Sequence, residues 1–505
     1  MNFIDSFLNK ITMYKLVLFG LTAISGLAII FGFLGILPFS ALDLSYSLIL
    51  LFLICLSSNI LFAKIFKAST NIESWAITAL ILFLIMSPSP VFSSQTLILA
   101  LAGIFAMASK YVLAFRKKHI FNPAAFGAAS VLLLGIGGAI WWIGDIHLFP
   151  AVVLVGFLIL QKIKRYDLFF SFVITNFASI LFFGLLNGSS ISSALSSISA
   201  SFYIAFFATV MLTEPLTTPP TKLLRLAYAA IIGLFSGWPF QIGPIYSVPE
   251  YALLIGNIFS FIVSPKYKLI LKLKEKNKIA KETFEFVLNS QRPRQFKPGQ
   301  YMEWTLPHKN ADLRGNRRFF TITSSPTEKE IRLGIKFSDP SSSFKKRLIS
   351  MERGEYITAG NLSGDFVLPQ NPNIKLSFIA GGIGITPFRS IIKYLQDKRE
   401  KRDITLFYVN RNTEDIAFRE VFEKGKKILG IKVIYVLTNK ENIPENWEGK
   451  IGYINEGMIA EELPDYKKRL FYLSGPVAMV DSYRKLLLNM GLPAKQILTD
   501  YFPGY

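Results

Sequence analysis

Apolar residues and charges are distributed unevenly along the chain. From Met1 to Val263 the sequence runs in long apolar stretches, several close to the ~20 residues that a bilayer-spanning helix needs. After Ser264 it changes to short strand-like runs, Gly/Pro turns and frequent Lys and Glu. The stretch "SPKYKLILKLKEKNKIAKE" marks the change and reads as a basic linker running into a first strand. Ten spans are predicted in the first half, at 14–37, 46–63, 75–86, 95–114, 123–143, 148–161, 168–186, 200–212, 223–240 and 251–263. The third, sixth and eighth are short, and each also reads as a re-entrant segment. The first apolar run is span-length and lacks a clean small-residue cleavage site, so no cleavable signal is expected.

Charge placement orients these spans. Lys10, Lys15, Lys64, Lys67, Lys110, Arg116, Lys117, Lys118, Lys162, Lys164, Arg165, Lys222 and Arg225 all fall at ends that ten alternating spans put on one side. The opposite loops, "PFSALDLS", "SPSPVFSS", "GDIH", "LNGSSISS" and "QIGPIYS", contain no Lys or Arg. The positive-inside rule then predicts a multi-pass plasma (inner) membrane protein with both termini and the whole second half cytoplasmic.

Composition narrows the classes. The 505 residues carry 55 Lys+Arg against 34 Asp+Glu, a net charge of +21, yet 51% are hydrophobic and 45 are Phe. Mean hydropathy is +0.40. A basic chain this apolar points to a lipid bilayer and not to nucleic acid, and it excludes disorder. The single Cys55 excludes a disulfide framework and an iron–sulfur cluster held by this chain alone. His119 and His147 sit at opposite ends of one predicted span, so they cannot ligate one haem iron from that helix, and His308 lies in the second half. No metal site is expected. Asp145, Asp167, Glu214 and Glu250 all lie near span ends, which weakens an ion-pumping reading.

In the first half, "KHIFNPAAFG" (118–127), "MLTEPLTTPPTKLLRLAYAAIIG" (211–233) and "YALLIGNIFS" (from 251) stand out. "TEPLTTPPT" sets Glu214, four threonines and three prolines between two apolar helices. Prolines free backbone polar groups that Thr hydroxyls can satisfy, a pattern tolerated at membrane depth when buried in protein; an ordinary loop before Lys222 is the other reading. Together and in this order the patterns resemble the flavin-carrying membrane subunits of the Na⁺-translocating NADH:quinone reductase and of the Rnf complex, over roughly residues 15 to 265. In that family a flavin mononucleotide is esterified to a Thr in a Ser-Gly-Ala-Thr tetrapeptide. This chain lacks that tetrapeptide and offers only "NGSSISSALSS", so covalent flavin mononucleotide is not carried over. A noncovalent flavin or a quinone remains open for this half.

In the second half, "TFEFVL", "YMEWTLP", "RFFTITSS", "IRLGIKF" and "EYITAG" alternate with turns and suit a small antiparallel barrel. From about Lys375, "LSFIAGGIG", "ITLFYVN", "KVIYVLT" and "RLFYLSGP" alternate with helical stretches, the pattern of a parallel α/β sheet. The predicted organisation is a polytopic α-helical membrane domain at 1–265, an antiparallel β-barrel FAD-binding domain at 266–370 and an α/β NAD(P)-binding domain at 371–505.

The order and motifs of residues 268 to 505 resemble the ferredoxin–NADP⁺ reductase family, a noncovalent FAD module that takes NADH or NADPH. "RFFTITS" matches its flavin strand. The resemblance gives Arg318 to the FAD diphosphate, Phe320 to packing on the flavin and Thr321 to a hydrogen bond near N5, with Ser324 closing the motif. "SDPSSSFKKRL" matches its phosphate cradle, assigning the N–H groups of Ser342, Ser343 and Phe344. "IAGGIGITPFRSI" carries Gly381, Gly382 and Gly384, where glycines let a dinucleotide approach the backbone, and Thr386-Pro387 starts a helix. "YLSGPVAM" matches a Cys-Gly-Pro pattern with Ser474 at the Cys place, followed by Gly475 and Pro476. Asp500 lies where the family often has an acidic residue, and Phe502 or Tyr505 stands where an aromatic covers the flavin. Thr321, Ser474 and Asp500 are the candidate catalytic residues. Arg411 after "LFYVN" either meets a 2′-phosphate or is solvated.

These readings imply a membrane flavoprotein in which NAD(P)H reduces FAD and electrons move toward the membrane half, to a quinone or noncovalent flavin. Two alternatives stand beside it. One is a membrane-anchored reductase serving a soluble electron carrier or haem protein. The other is a transporter with a regulatory nucleotide-binding module.

Overall fold

A computed structural model describes residues 3–67, 72–115, 118–199, 201–265, 268–290, 296–337, 339–441 and 443–502. The chain forms two compact units, 2–267 and 268–505, apart from Met1.

The first unit is helical. Among the described residues, four helices are long and apolar enough to cross a membrane: Met13–Phe33, Ala41–Ile65, Ser94–Val112 and Tyr166–Leu186. A bent pair, Ile191–Ile198 with Tyr203–Met211 at 52°, makes a fifth if it is one span. These helices turn Phe19, Ile30, Leu53, Ile60, Phe170 and Ile174 outward, as helices facing lipid do. Ten spans were expected, and four helices, or five with the bent pair, meet that length and apolarity among the described residues. Other apolar segments form shorter helices, Ile72–Ile85, Pro123–Leu133, Phe149–Ile163, Lys222–Gly237 and Pro249–Val263. The segment predicted as one span over 123–143 shows the reason. Its helix stops at Leu133, Gly135 takes φ +71, and the chain returns so that Ile140 and Trp141 donate to the Ile85 carbonyl, both at 2.9 Å. A composition window cannot see that break, because glycines end the helix while leaving the segment apolar.

The second unit holds two sheets. One is antiparallel with strand order Arg317–Thr321, Tyr301–Thr305, Tyr356–Ser363, Leu269–Ala280, Thr283–Ser290, Ile331–Lys336. Its ladder is open where a barrel was expected. Its two edges are tied just past Thr321, where Thr323 N donates to the Arg332 carbonyl and Gly334 N to Thr323 Oγ1, both at 2.9 Å.

The other sheet is parallel throughout, in the order Lys450–Ile451, Lys432–Leu437, Ile404–Asn410, Leu376–Gly381, Leu470–Pro476, Ile497–Phe502. Its central strands are buried end to end, as strands covered on both faces must be. Leu376, Phe378 and Ala380 face a core with Phe388, Ile391 and Leu395, while Ile379 faces Val480 and Leu487. Chain order runs outward in one direction from Leu376–Gly381 and then resumes on its other side at Leu470–Pro476. Ligands of open α/β sheets bind at such a reversal, beyond the carboxyl ends of the strands.

Candidate functional site

The reversal brings Gly381–Gly384 against Ser474–Pro476. The three glycines do different things. A Cβ on Gly384 would stand 2.4 Å from the Ser474 carbonyl oxygen, and one on Gly381 2.2 Å from Met479 Sδ. Both glycines therefore serve close packing of protein on protein. Gly382 has φ +51 and nothing within 4 Å of its missing Cβ, so it is the one that presents open backbone. Thr386 Oγ1 donates to the Ile383 carbonyl at 3.2 Å, and Pro387 stands in the first turn of the helix Thr386–Lys398.

Ser474 pairs with Ala380 on one side and Asp500 on the other. Its hydroxyl is fully buried and has no hydrogen-bond partner among the described residues. The carboxyl of Asp500 is enclosed although part of the residue reaches solvent, and burial pushes its pKa up to about 7, with the Tyr501 N–H acting the other way. Gly475 and Pro476 lie opposite Tyr501 and Phe502, and Phe502 is half-buried. Tyr505 lies outside the described residues.

On the antiparallel sheet, Arg318 and Phe320 lie opposite Trp304 and Met302. Arg318 sits 5.4 Å from the Phe344 ring centre, and the Phe320 and Phe344 rings are 5.8 Å apart. Thr321 is buried at the end of this strand. The guanidinium donates to the carbonyls of Gly315 at 3.1 Å and Arg317 at 2.7 Å, and to Asp312 Oδ1 at 3.4 Å. Burial pushes its pKa down to about 10, an effect that Asp312 opposes and Arg314 reinforces.

Part of the expected cradle is engaged within the chain. Ser343 N donates to Asp312 Oδ2 at 2.9 Å, Ser343 Oγ accepts the Asp312 N–H at 3.0 Å and contacts His308 Nε2 at 3.0 Å, and Ser342 caps the helix by accepting from Lys345 N. Lys345 is buried, donates to the Lys336 carbonyl at 2.8 Å, and has its pKa pushed down to about 8 by burial and then by Arg314 and Arg318. Burial would raise the Asp312 pKa, but the Ser343 N–H and Arg318 outweigh it and hold it low. Asp312 and Arg314 are candidate site residues that motif reading missed, and Lys345 stands inside "SDPSSSFKKRL" without having been singled out. They lie outside the quoted flavin strand, and their meeting depends on how the loop folds.

Ser324 is buried a short way beyond this strand. Its hydroxyl accepts the Arg332 N–H at 3.1 Å and its carbonyl accepts Ser390 Oγ at 2.7 Å. Next to it, Arg389 forms a two-pronged ion pair with Glu328, one contact at 2.9 Å, and donates to the Thr323 carbonyl at 3.2 Å. The two sheets are thus locked together beside the site. Arg411 is exposed at the end of its strand.

In the helical unit the three patterns singled out in the sequence meet at one polar node. His119 Nε2 is 3.2 Å from Glu214 Oε1, and Asn122 Nδ2 and Thr217 Oγ1 donate to Glu214 Oε2 at 3.0 and 3.2 Å. Asn122 N donates to Asn257 Oδ1 at 2.8 Å, and Asn257 Nδ2 to Tyr228 OH at 3.1 Å.

Arg314 and Arg318 pair with the single carboxylate of Asp312, Lys345 feels the charge of both arginines, and this surplus of positive charge fits the diphosphate of FAD. Open backbone at Gly382 beside a buried, unpartnered Ser474 hydroxyl fits a nicotinamide dinucleotide at the sheet reversal. Fold and site define a flavin- and nicotinamide-binding reductase module. Residues 378–485 match the family model described as the oxidoreductase NAD-binding domain. The chain is 27% identical over 213 residues to the reductase subunit of stachydrine N-demethylase from Rhizobium meliloti, covering 41% of this chain and 59% of that protein. It is 32% identical over 160 residues to NADH-cytochrome b5 reductase 1 of Aspergillus terreus, covering 30% and 53%. The chain thus spans about half the length of the curated relatives it matches. Among solved structures, the FAD/NAD-binding domain of a Vibrio cholerae nitric oxide dioxygenase aligns at 19% identity and TM-score 0.42, over 46% of this chain and 98% of that one.

Proposed function

We propose that the protein is a membrane-bound flavoprotein oxidoreductase that takes electrons from NAD(P)H in its C-terminal unit and delivers them to an acceptor at the membrane. FAD, when bound, supplies the ability to accept a hydride and release its electrons singly. The observation that carries this reading is the pairing of Ser474 with Asp500 beside the Gly382 turn. It sets an unpartnered hydroxyl and a carboxyl that holds its proton near neutrality at the reversal of the parallel sheet. In this reading Arg318, with Arg314 and Lys345, binds the diphosphate, and Phe320 and Phe344 form an apolar wall for the flavin. Thr321 orients the ring through its hydroxyl, Ser474 positions the nicotinamide, and Asp500 holds a proton beside it. An aromatic of the C-terminal tail, with Phe502 the candidate among the described residues, covers the ring when nicotinamide is absent.

For the helical unit, the meeting of "KHIFNPAAFG", "TEPLTTPPT" and "YALLIGNIFS" at Glu214 supports kinship with the membrane flavin subunits, with a quinone or noncovalent flavin as the acceptor there. Loops without Lys or Arg on one side support a multi-pass arrangement with the reductase module cytoplasmic. A second reading, in which the helices are an anchor and a soluble electron carrier or haem protein is served, is favoured by the cytochrome b5 reductase named among the relatives. The test is turnover by the purified full chain. Bleaching of flavin by NADH or NADPH is expected, and quinone-dependent turnover separates the first reading from the second. Absence of bleaching in flavin-loaded protein would leave a transporter with a regulatory nucleotide module as the better account.

A further inference from the structure

The helical unit contains a cavity of about 480 Å³ lined in part by Phe39, Trp141, Trp142, Asp145, Tyr203 and Pro249. That volume is in the range of small-molecule sites. Its walls belong to or border the loops "PFSALDLS", "GDIH" and "QIGPIYS", none of which contains Lys or Arg. Trp141 has a left-handed backbone, φ 52 and ψ 40, which a bulky side chain rarely adopts. That turn sets its ring 5.4 Å from Tyr203 and 5.7 Å from Phe207.

Donors and acceptors at this cavity are unequal. The Trp141 indole N–H is committed to Glu250 Oε1 at 3.2 Å, and the Trp142 indole N–H to the carbonyls of Phe83 and Met86, both at 2.9 Å. The tryptophans therefore offer ring faces and no free donor. Glu250, next to the lining Pro249, is 1% exposed, and its Oε2 has no partner among the described residues. Asp145 adds a second carboxylate, whose Oδ1 accepts from His147 N and contacts His147 Nδ1 at 2.8 and 2.9 Å. Electron-rich ring faces, two carboxylates and the absence of Lys and Arg from the neighbouring loops suit a cation. An anion would meet these carboxylates without a Lys or Arg from those loops to offset them.

We propose that this cavity binds a small organic cation, a protonated amine or quaternary ammonium, held by the aromatic faces of Trp141, Trp142 and Tyr203 and by the charge of Glu250 and Asp145. The site belongs to the helical unit alone and does not depend on the redox reading.

The test is a tryptophan-fluorescence titration of the detergent-purified full chain at constant ionic strength. Choline and tetramethylammonium are the probes, and 3,3-dimethylbutanol is the uncharged isostere of choline. A saturable change with both cations and none with the alcohol is expected. Glu250→Gln should weaken binding about tenfold or more. Asp145→Asn, whose side chain is partly exposed and whose folding is therefore less at risk, should weaken it several-fold at unchanged thermal midpoint. No saturable change in the parent protein would overturn the proposal, as would an equal response to the alcohol or unaltered affinity in both variants.

Discussion

Arg318 and Asp312 lie 3.4 Å apart, and the other oxygen of the same carboxylate takes the Ser343 N–H at 2.9 Å. The two donors assigned to an incoming diphosphate are thus joined by one carboxylate of the chain itself. Asp312 balances part of a cluster that also holds Arg314 and Lys345, and a bound diphosphate would have to share or displace it.

Arg318→Ala should weaken FAD retention roughly tenfold or more, because a charge-assisted contact is worth about 1.5–3 kcal/mol. Asp312→Asn keeps the size and removes the competing charge, so FAD affinity should rise several-fold. FAD titration of the deflavinated chain measures both. Full flavin content in purified Arg318→Ala would take the guanidinium out of the cofactor site.

The Arg389–Glu328 pair has side chains only 6% and 11% exposed. Glu328→Ala leaves a buried guanidinium without its carboxylate and should cost about 3–5 kcal/mol. Urea unfolding followed by flavin fluorescence reads the loss, and a midpoint equal to that of the parent would show the clamp to be dispensable.

Glycine substitutions should separate packing from access. Gly384→Ala drives a methyl onto the Ser474 carbonyl, a backbone atom that cannot swing aside, and should abolish nucleotide binding with gross loss of stability. Gly382→Ala meets no atom and costs about 1–2 kcal/mol of left-handed strain. It should lower nucleotide affinity while the chain stays folded. Circular dichroism with nucleotide titration distinguishes the two.

Burial raises the Asp500 carboxyl from 3.8 to about 7. Between those values the folded chain keeps a proton that the unfolded chain has lost. The stability this group contributes is therefore present below the lower value and lost as pH rises through the upper one. Asp500→Asn should flatten the melting temperature between about pH 4 and pH 7. It should also remove an inflection near neutrality from the rate of flavin reduction; a parent rate without that inflection would assign Asp500 to structure alone.

Deleting residues 502–505 should tighten oxidised nicotinamide binding and raise futile oxygen reduction. Phe502 pairs with Pro476 at the nucleotide end of the sheet, and aromatic stacking on a flavin is worth about 0.5–1.5 kcal/mol beyond burial. Unchanged nucleotide affinity together with an unchanged oxidase rate would return the tail to a packing role.

The division between an apolar helical unit and an α/β reductase module is legible in the chain itself, because burial in lipid and burial in a sheet leave different periodicities. The strand "LSFIAGGIG", the helix after Thr386-Pro387 and the "YLSGP" strand are local patterns, and each forms where its pattern predicts. The break at Gly135 was not legible as a break, since hydropathy reports how apolar a segment is and not where its backbone turns. Nor was the division of labour among Gly381, Gly382 and Gly384. The same residue type answers a neighbouring strand at Gly384, the Met479 side chain of the following helix at Gly381 and open space at Gly382, and only the tertiary packing decides which. Asp312 and Glu328 carry no motif at all, and Lys345 stands unremarked inside "SDPSSSFKKRL". Their roles arise from loops and helices that bring charges together across long sequence separations, where low local dielectric makes each surplus or missing partner count.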